Sequence, residues 1–222
     1  DFIGVSIDGG KAETHDKIRG VKGSFNRALN FIDKCLEFKD EIYVITSVHK
    51  LNISELSILK DLLYDKNICW RLQLTDVAGR FSKKYLLSKD EFYSIGKFIS
   101  ETQKNHPRGA KFINGGHDMG YFSNELPNLT DIPNWNGCLA GINLIAVESD
   151  GGIKGCSALT SEFVEANIRE KNIIEIWNNP DSFKYNRKFK LKDLKGFCKT
   201  CRFNKKCKGG CIETSFMADR KS

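Results

Sequence analysis

An α/β chain built on a parallel sheet, followed by a small loop-rich module held together by cysteines, is the fold the sequence predicts. Three observations predict it. Strand-like and helix-like patterns alternate through the first hundred residues, the pattern then breaks into loops marked by Gly and Pro, and six of the eight cysteines fall at or beyond residue 138. Strands alternating with helices of about 10–15 residues make βαβ units, whose strands lie parallel in one sheet.

Each element follows from its local pattern. Residues 2–7 are an apolar run closed by Asp8-Gly9-Gly10, which reads as a buried strand and a turn. Phe25, Leu29, Ile32 and Leu36 recur at helical spacing, with Ser24 placed as N-cap. Residues 41–48 are rich in β-branched and aromatic side chains, and Leu56, Leu59 and Leu63 then return to helical spacing. Residues 68–74 are again strand-like, and Phe92, Ile95, Phe98 and Ile99 share one helical face. Beyond residue 105, His106-Pro107-Arg108-Gly109, Asn114-Gly115-Gly116, Pro127-Asn128 and Pro133-Asn134 mark a long loop-rich connection. Residues 142–148 and 153–156, joined by Ser149-Asp150-Gly151-Gly152, read as a β-hairpin, and residues 172–178 as a short helix. The boundary falls near residue 130, dividing the chain into 1–130 and 131–222. The second part is too small and loop-rich to stand without staples or metal.

Composition narrows the class. With 222 residues, 40% of them apolar and 28% charged, the chain can bury one sizeable core, or a core and a satellite. Disordered and collagen-like chains are excluded, and no apolar run approaches the roughly 18 residues of a membrane span. Thirty-five basic against 28 acidic residues leave a mild +7. No charged segment precedes the apolar opening, so it is not a signal peptide. The thiols are therefore expected to be reduced and the protein cytoplasmic. Opening at Asp1 directly in a strand, the chain reads as a segment of a longer protein.

The cysteines carry the chemistry. Cys198-x2-Cys201-x5-Cys207-x3-Cys211 sets four thiols within 14 residues, close enough to converge on one metal centre or to be shared between two. Zinc, an iron–sulfur cluster and disulfides all satisfy that spacing. Ten basic residues lie between Tyr185 and Lys208 against the single acid Asp193, and cations beside thiolates suit an anionic centre. The same charge also suits a nucleic-acid patch, so a zinc-stapled basic binding module is the rival reading. Cys138 and Cys156 bring the count to six, too many for one four-ligand site and too few for two. Cys35, near an apolar helix face, and Cys69, beside Trp70, read as core thiols, and Trp135 and Trp177 as packing residues.

Cys138, then Gly151-x4-Cys156, then the four-cysteine run resembles the SPASM domain of radical S-adenosylmethionine (radical SAM) enzymes. Val5-Ser6-Ile7-Asp8-Gly9 followed by His15-Asp16-Lys17-Ile18-Arg19 looks like strand four of the radical SAM barrel and its following loop. The resemblance implies the second half of a partial (β/α)6 barrel followed by an auxiliary-cluster domain. It implies one [4Fe–4S] cluster held by Cys138, Cys156 and Cys211, and a second held by Cys198, Cys201 and Cys207. It also implies that Ser6, Asp8, Arg19, Asn52 and Gln73 lie near bound S-adenosylmethionine.

Two departures qualify the resemblance. The Cys-x3-Cys-x2-Cys loop that follows strand one in this family, and holds the radical-generating cluster, is not in these residues. A seventh cysteine of the domain is also absent. Both are expected in the remainder of the full protein, with a split or degenerate barrel as the alternative. Relatives with this domain mostly modify peptides or proteins, which implies a precursor peptide substrate, with a crosslink, thioether or epimerisation as product. An external electron donor such as flavodoxin or ferredoxin is implied as partner, and neither membrane nor nucleic acid. Sulfatase-maturating relatives carry an Asp directly after the hairpin cysteine, where Ser157 stands here. That leaves His117 and Asp118 as candidate bases.

Overall fold

In the computed structural model, the described residues are 3–38, 41–75, 81–126, 129–130, 132 and 135–219. Phe2 of the expected first strand and the turn residues Pro127, Asn128, Pro133 and Asn134 lie outside them. The chain divides into two compact units, residues 1–133 and residues 134–222.

The first unit is a four-stranded parallel sheet in sequential order: β1 (Gly4–Ser6), β2 (Ile42–Val48), β3 (Ile68–Leu74) and β4 (Ile113–Gly115). Helices α1 (Ala12–Arg19) and α2 (Ser24–Leu36) make the first crossover, α3 (Leu56–Leu63) the second and α4 (Lys89–Asn105) the third. Side chains alternate across the strands. Val5, Ile7, Val44, Trp70, Leu72 and Ile113 point to one face and pack against Ile32, Leu59, Leu63, Ile95 and Ile99 of the helices. The opposite face carries the rows Ser6–Ile45–Arg71–Asn114 and Ser47–Gln73. Trp70 anchors the core: its indole N–H donates to Thr46 Oγ1 at 2.9 Å, and Thr46 donates onward to the Ile7 carbonyl at 2.6 Å. That chain ties three strands together with no buried donor left over.

Three local expectations are corrected. Residues 15–19, read as part of a loop, belong to α1. The turn that leads into it runs close against α3, since a Cβ at Gly10 would stand 2.8 Å from Ile58 Cβ. Ser24 is not the N-cap of α2 but its first residue. The cap is supplied by Asp16, whose carboxylate accepts from Ser24 Oγ and from the Gly23 and Phe25 N–H groups, and those bonds hold its pKa below the ordinary value. Asn114-Gly115, read as loop, belongs to β4. At α4, by contrast, Ser88 and Glu91 form a reciprocal capping box.

The second unit contains a three-stranded antiparallel sheet, β5 (Ala146–Val147), β6 (Gly152–Lys154) and β7 (Ala166–Asn167). The expected hairpin is β5–β6, with the turn closed by Gly151 N–H donating to the Glu148 carbonyl. The third strand extends it beyond what the pattern predicts. Short helices follow: α5 (Ile173–Asn178), capped by Asn172, then α6 (Lys184–Arg187), α7 (Gly196–Thr200), α8 (Asn204–Cys207) and α9 (Ile212–Asp219). Ile153, Ile176 and Phe183 form a core cluster, with Trp177 packed against it. No helix among the described residues is long and apolar enough to cross a membrane.

Candidate functional site

At the carboxyl ends of the strands of the first unit, a polar knot gathers most of the residues expected near the cofactor. Asp8 is buried and pairs with Arg19 at 2.9 Å, while its Oδ1 accepts the Ser47 N–H at 2.8 Å. The Asp8 N–H donates to His15 Nδ1 at 3.0 Å, which requires a ring unprotonated at that nitrogen. Burial, the largest effect, lowers the His15 pKa accordingly; Asp8 opposes it. Asn52 is fully buried: its amide donates to the Asp8 and Ser47 carbonyls and its oxygen accepts the His49 N–H, all at 2.9 Å. Asp8, Arg19 and Asn52 thus sit together, held by protein partners. Ser6 is exposed at the end of β1, and Gln73 reaches Ser47 Oγ at 3.4 Å.

His117 and Asp118 follow β4 in a short 3-10 turn. His117 is exposed with Nδ1 2.7 Å from the Tyr121 hydroxyl, and Asp118 accepts the Leu74 N–H at the end of β3. The two bases expected from the sequence are therefore adjacent, but Asp118 also terminates a strand. His15, His49 and Glu55 went unread in the sequence. Glu55 accepts from the Gly10 and Lys11 N–H groups and from Thr14 Oγ1, capping α1 from 41 or more residues away, and such a contact leaves no local signal.

The second unit holds six of the eight cysteines, and no disulfide joins any of them among the described residues. Burial pushes the Cys207 thiol above its ordinary value, and Cys198 and Cys201 push it further; the Gly209 and Gly210 N–H groups pull it down. Burial likewise raises Cys211, with Cys138 adding to it and Thr214 opposing. Cys138 and Cys156 together bear on Tyr185. Cys207 thus feels Cys198 and Cys201, Cys211 feels Cys138, and Cys138 and Cys156 both bear on Tyr185. Among the described residues, no three His, Cys, Asp or Glu side chains close on the point that a single metal ion would occupy.

The frame around these thiols comes from α6. Asn186 Nδ2 donates to the Cys138 carbonyl at 2.7 Å and to the Ala140 carbonyl at 2.8 Å. Arg187, one of the ten basic residues expected to offset an anionic centre, instead donates to the carbonyls of Gly141 and Trp177 and lies over the Trp177 and Phe183 rings. Trp135 Nε1 donates to the Cys207 carbonyl at 3.1 Å. The hydroxyl proton of Tyr185 is buried and finds no acceptor among the described residues, an arrangement that costs about 1–3 kcal/mol if nothing supplies one. Burial above all, then Glu165 and the thiols of Cys138 and Cys156, push its pKa up to about 12. An orphaned donor beside two thiols fits a group that brings acceptor sulfurs between them.

The chain thus joins a parallel α/β unit to a module carrying six cysteines. Residues 138–202 match the SPASM family, an iron–sulfur cluster-binding domain. The chain is 28% identical, over 97% of its length and 63% of the relative's, to an AdoMet-dependent heme synthase of Methanosarcina barkeri (strain Fusaro / DSM 804). It is 25% identical, over 81% of its length and 37% of the relative's, to the antilisterial bacteriocin subtilosin biosynthesis protein AlbA of Bacillus subtilis (strain 168). The crystal structure of Streptococcus suis SuiB bound to S-adenosylmethionine shares the fold, with a TM-score of 0.66 at 18% identity over 95% of this chain and 49% of that one. Residues 138–202 thus match an iron–sulfur cluster-binding domain, and the chain as a whole is similar to proteins described as AdoMet-dependent. It spans less than two thirds of the length of the curated relatives it matches.

Proposed function

We propose that the full protein is a radical SAM enzyme that modifies a ribosomally made peptide by crosslink, thioether or epimerisation. The observation that carries this reading is the set of six thiols inside the unit matched by an iron–sulfur family, with Cys207 feeling Cys198 and Cys201, and Cys211 feeling Cys138. Cys138, Cys156 and Cys211 would hold one auxiliary [4Fe–4S] cluster, and Cys198, Cys201 and Cys207 the other. A cuboidal cluster keeps its thiolates further apart than the single tetrahedral zinc of the rival binding-module reading, whose Zn–S bonds of about 2.3 Å draw the sulfurs tightly together. S-adenosylmethionine, bound with the radical-generating cluster, supplies the one-electron chemistry that activates an unreactive C–H bond.

The chain's own residues have separable tasks. Ser6 and Gln73, on the open face of the sheet, offer a hydroxyl and an amide to the cofactor. Asp8, Arg19 and Asn52 hold the strand ends in register beneath them. His117, oriented by Tyr121, offers a base, and Asp118 fixes its turn through Leu74. The partners are the precursor peptide and an external reductant of the flavodoxin or ferredoxin kind.

A second substrate reading, an iron tetrapyrrole, is supported by the 28% identity to a heme synthase. Anaerobic reconstitution of the full-length protein tests both. Several irons per chain and S-adenosylmethionine cleavage stimulated by a candidate precursor peptide are expected. Stoichiometric zinc in colourless protein would overturn the enzyme reading. A Soret shift on adding iron porphyrin, with cleavage stimulated by that porphyrin alone, would replace the peptide with a tetrapyrrole.

A further inference from the structure

Tyr185 occupies an unusual position for a residue whose only task is packing. It follows Phe183, a fully buried residue at φ +57°, in the left-handed region that costs an L side chain conformational energy. Phe183 in turn fills the space over Gly141, where a Cβ would collide with its ring, so the strained turn is pinned in place. Tyr185 and Asn186, two and three residues on, gain from that turn. Asn186 takes hold of the Cys138 and Ala140 carbonyls, and the Tyr185 hydroxyl comes to rest against Gly155, immediately before Cys156. Any side chain at Gly155 would displace that hydroxyl. The Tyr185 ring is held edge-on by Phe163, centroids 5.0 Å apart at 85°, and by Phe183, 6.5 Å apart at 88°. Its orientation is therefore fixed by packing, and the Gly155 backbone lies against its oxygen as a donor that lowers its pKa, while among the described residues its proton finds no acceptor.

From this geometry we propose that Tyr185 donates a hydrogen bond to a sulfur of the cluster held by Cys138, Cys156 and Cys211, and so raises that cluster's reduction potential. The inference rests on the cluster reading above. A hydrogen bond to cluster sulfur stabilises the reduced state, which carries the extra negative charge, and so makes reduction easier. No bond forms or breaks, and the tyrosine keeps its proton throughout. Its pKa, held high by burial and the neighbouring thiols, keeps the hydroxyl protonated at neutral pH. The role is one of positioning and tuning, separate from the bases and from the cofactor face.

The test uses full-length protein loaded with iron under anaerobic conditions. In Tyr185→Phe, one auxiliary midpoint in an EPR-monitored redox titration is expected to move to more negative potential. The other stays in place and iron content is unchanged. An iron-loaded Tyr185→Phe protein with every midpoint unmoved overturns the proposal. A second measurement can overturn the proposal even where that variant fails to fold. Tyr185 is the one tyrosine among residues 134–222, so ring-deuterated tyrosine labels that stretch at a single site, and the same label in Tyr185→Phe subtracts every other tyrosine of the full protein. Pulsed EPR of the reduced wild-type protein is then expected to show deuteron coupling to an auxiliary cluster, and its absence overturns the proposal. Protein that takes up zinc and no iron overturns the cluster reading itself, an outcome distinct from iron-loaded protein without the shift.

Discussion

Twenty buried apolar side chains form the core of the parallel-sheet unit among its described residues, from Val5 and Ile7 through Trp70 to Leu129, whereas in the cysteine unit Ile153, Ile176 and Phe183 form one small cluster and Trp135, Ala140, Leu159, Leu194 and Met217 are buried outside it. The first unit follows the ordinary economy of a globular fold, in which apolar burial outweighs the entropy of ordering the chain. The second cannot, since its eight buried apolar side chains, at about 1.5–3 kcal/mol each for the larger ones, fall short of ordering some 80 residues. Its sequence spends glycines and lysines where the first unit spends leucines and isoleucines, and its polar contacts converge on the main chain beside cysteines: Asn186 on Cys138, Trp135 on Cys207. The contrast teaches that the second unit is organised to present thiols, and draws its stability from what they hold.

Removing iron should therefore separate the two units most strongly. Treating the loaded full-length protein with an iron chelator under anaerobic conditions is expected to abolish hydrogen-exchange protection in β6, α5 and α6. Protection in β2 and β3 should persist. Equal loss in both would break the comparison. The reciprocal experiment is Trp70→Ala, which deletes a fully buried ring and the donor that reaches Thr46. A loss of about 3–5 kcal/mol is expected in the first unit, read as a lower chemical-denaturation midpoint for β2 and β3. Iron content should stay unchanged, because all six cysteines of the proposed clusters belong to the other unit.

The same contrast explains what the sequence discloses. Period-2 and period-3.6 patterns arise from burial against a large core, so β2, β3, α2 and α4 are legible residue by residue. Helix α1 is not, because it buries only His15 and shows no apolar stripe. Strand β4 is three residues long and ends in glycine, so its sequence resembles a loop until β3 supplies its register. Ser24 carries the right chemistry for a cap, yet the carboxylate of Asp16 does the work from the preceding helix. The cysteines are legible as a constellation, since ligand chemistry dictates both type and spacing. The residues that frame them are not: Asn186 meets Cys138 across 48 positions, and Tyr185 is one aromatic among many until its hydroxyl proton is found buried without an acceptor among the described residues.

The smallest expected effect lies in the first unit and concerns its one polar knot. His15 Nδ1 accepts the Asp8 N–H, and His49 Nδ1 accepts the Leu51 N–H at 3.2 Å, so each contact needs a neutral ring. Burial is the leading cause that lowers both pKa values from the ordinary 6.5, with the nearby Asp8 carboxylate opposing it in each case. As pH falls, the unfolded chain takes up these protons before the folded chain does. The stability the two rings contribute is therefore full above about pH 6.5 and declines as acid is added through the folded values. One proton per ring limits the slope to about 1.4 kcal/mol per pH unit for each histidine. The unfolding midpoint of β2 and β3 is expected to hold steady from pH 8 to 7 and to fall by pH 5.5, with a shallower fall in His15→Asn. An unchanged slope in that variant would mean that His15 does not carry the effect. The knot beneath the proposed cofactor face would then owe its acid sensitivity to His49 alone.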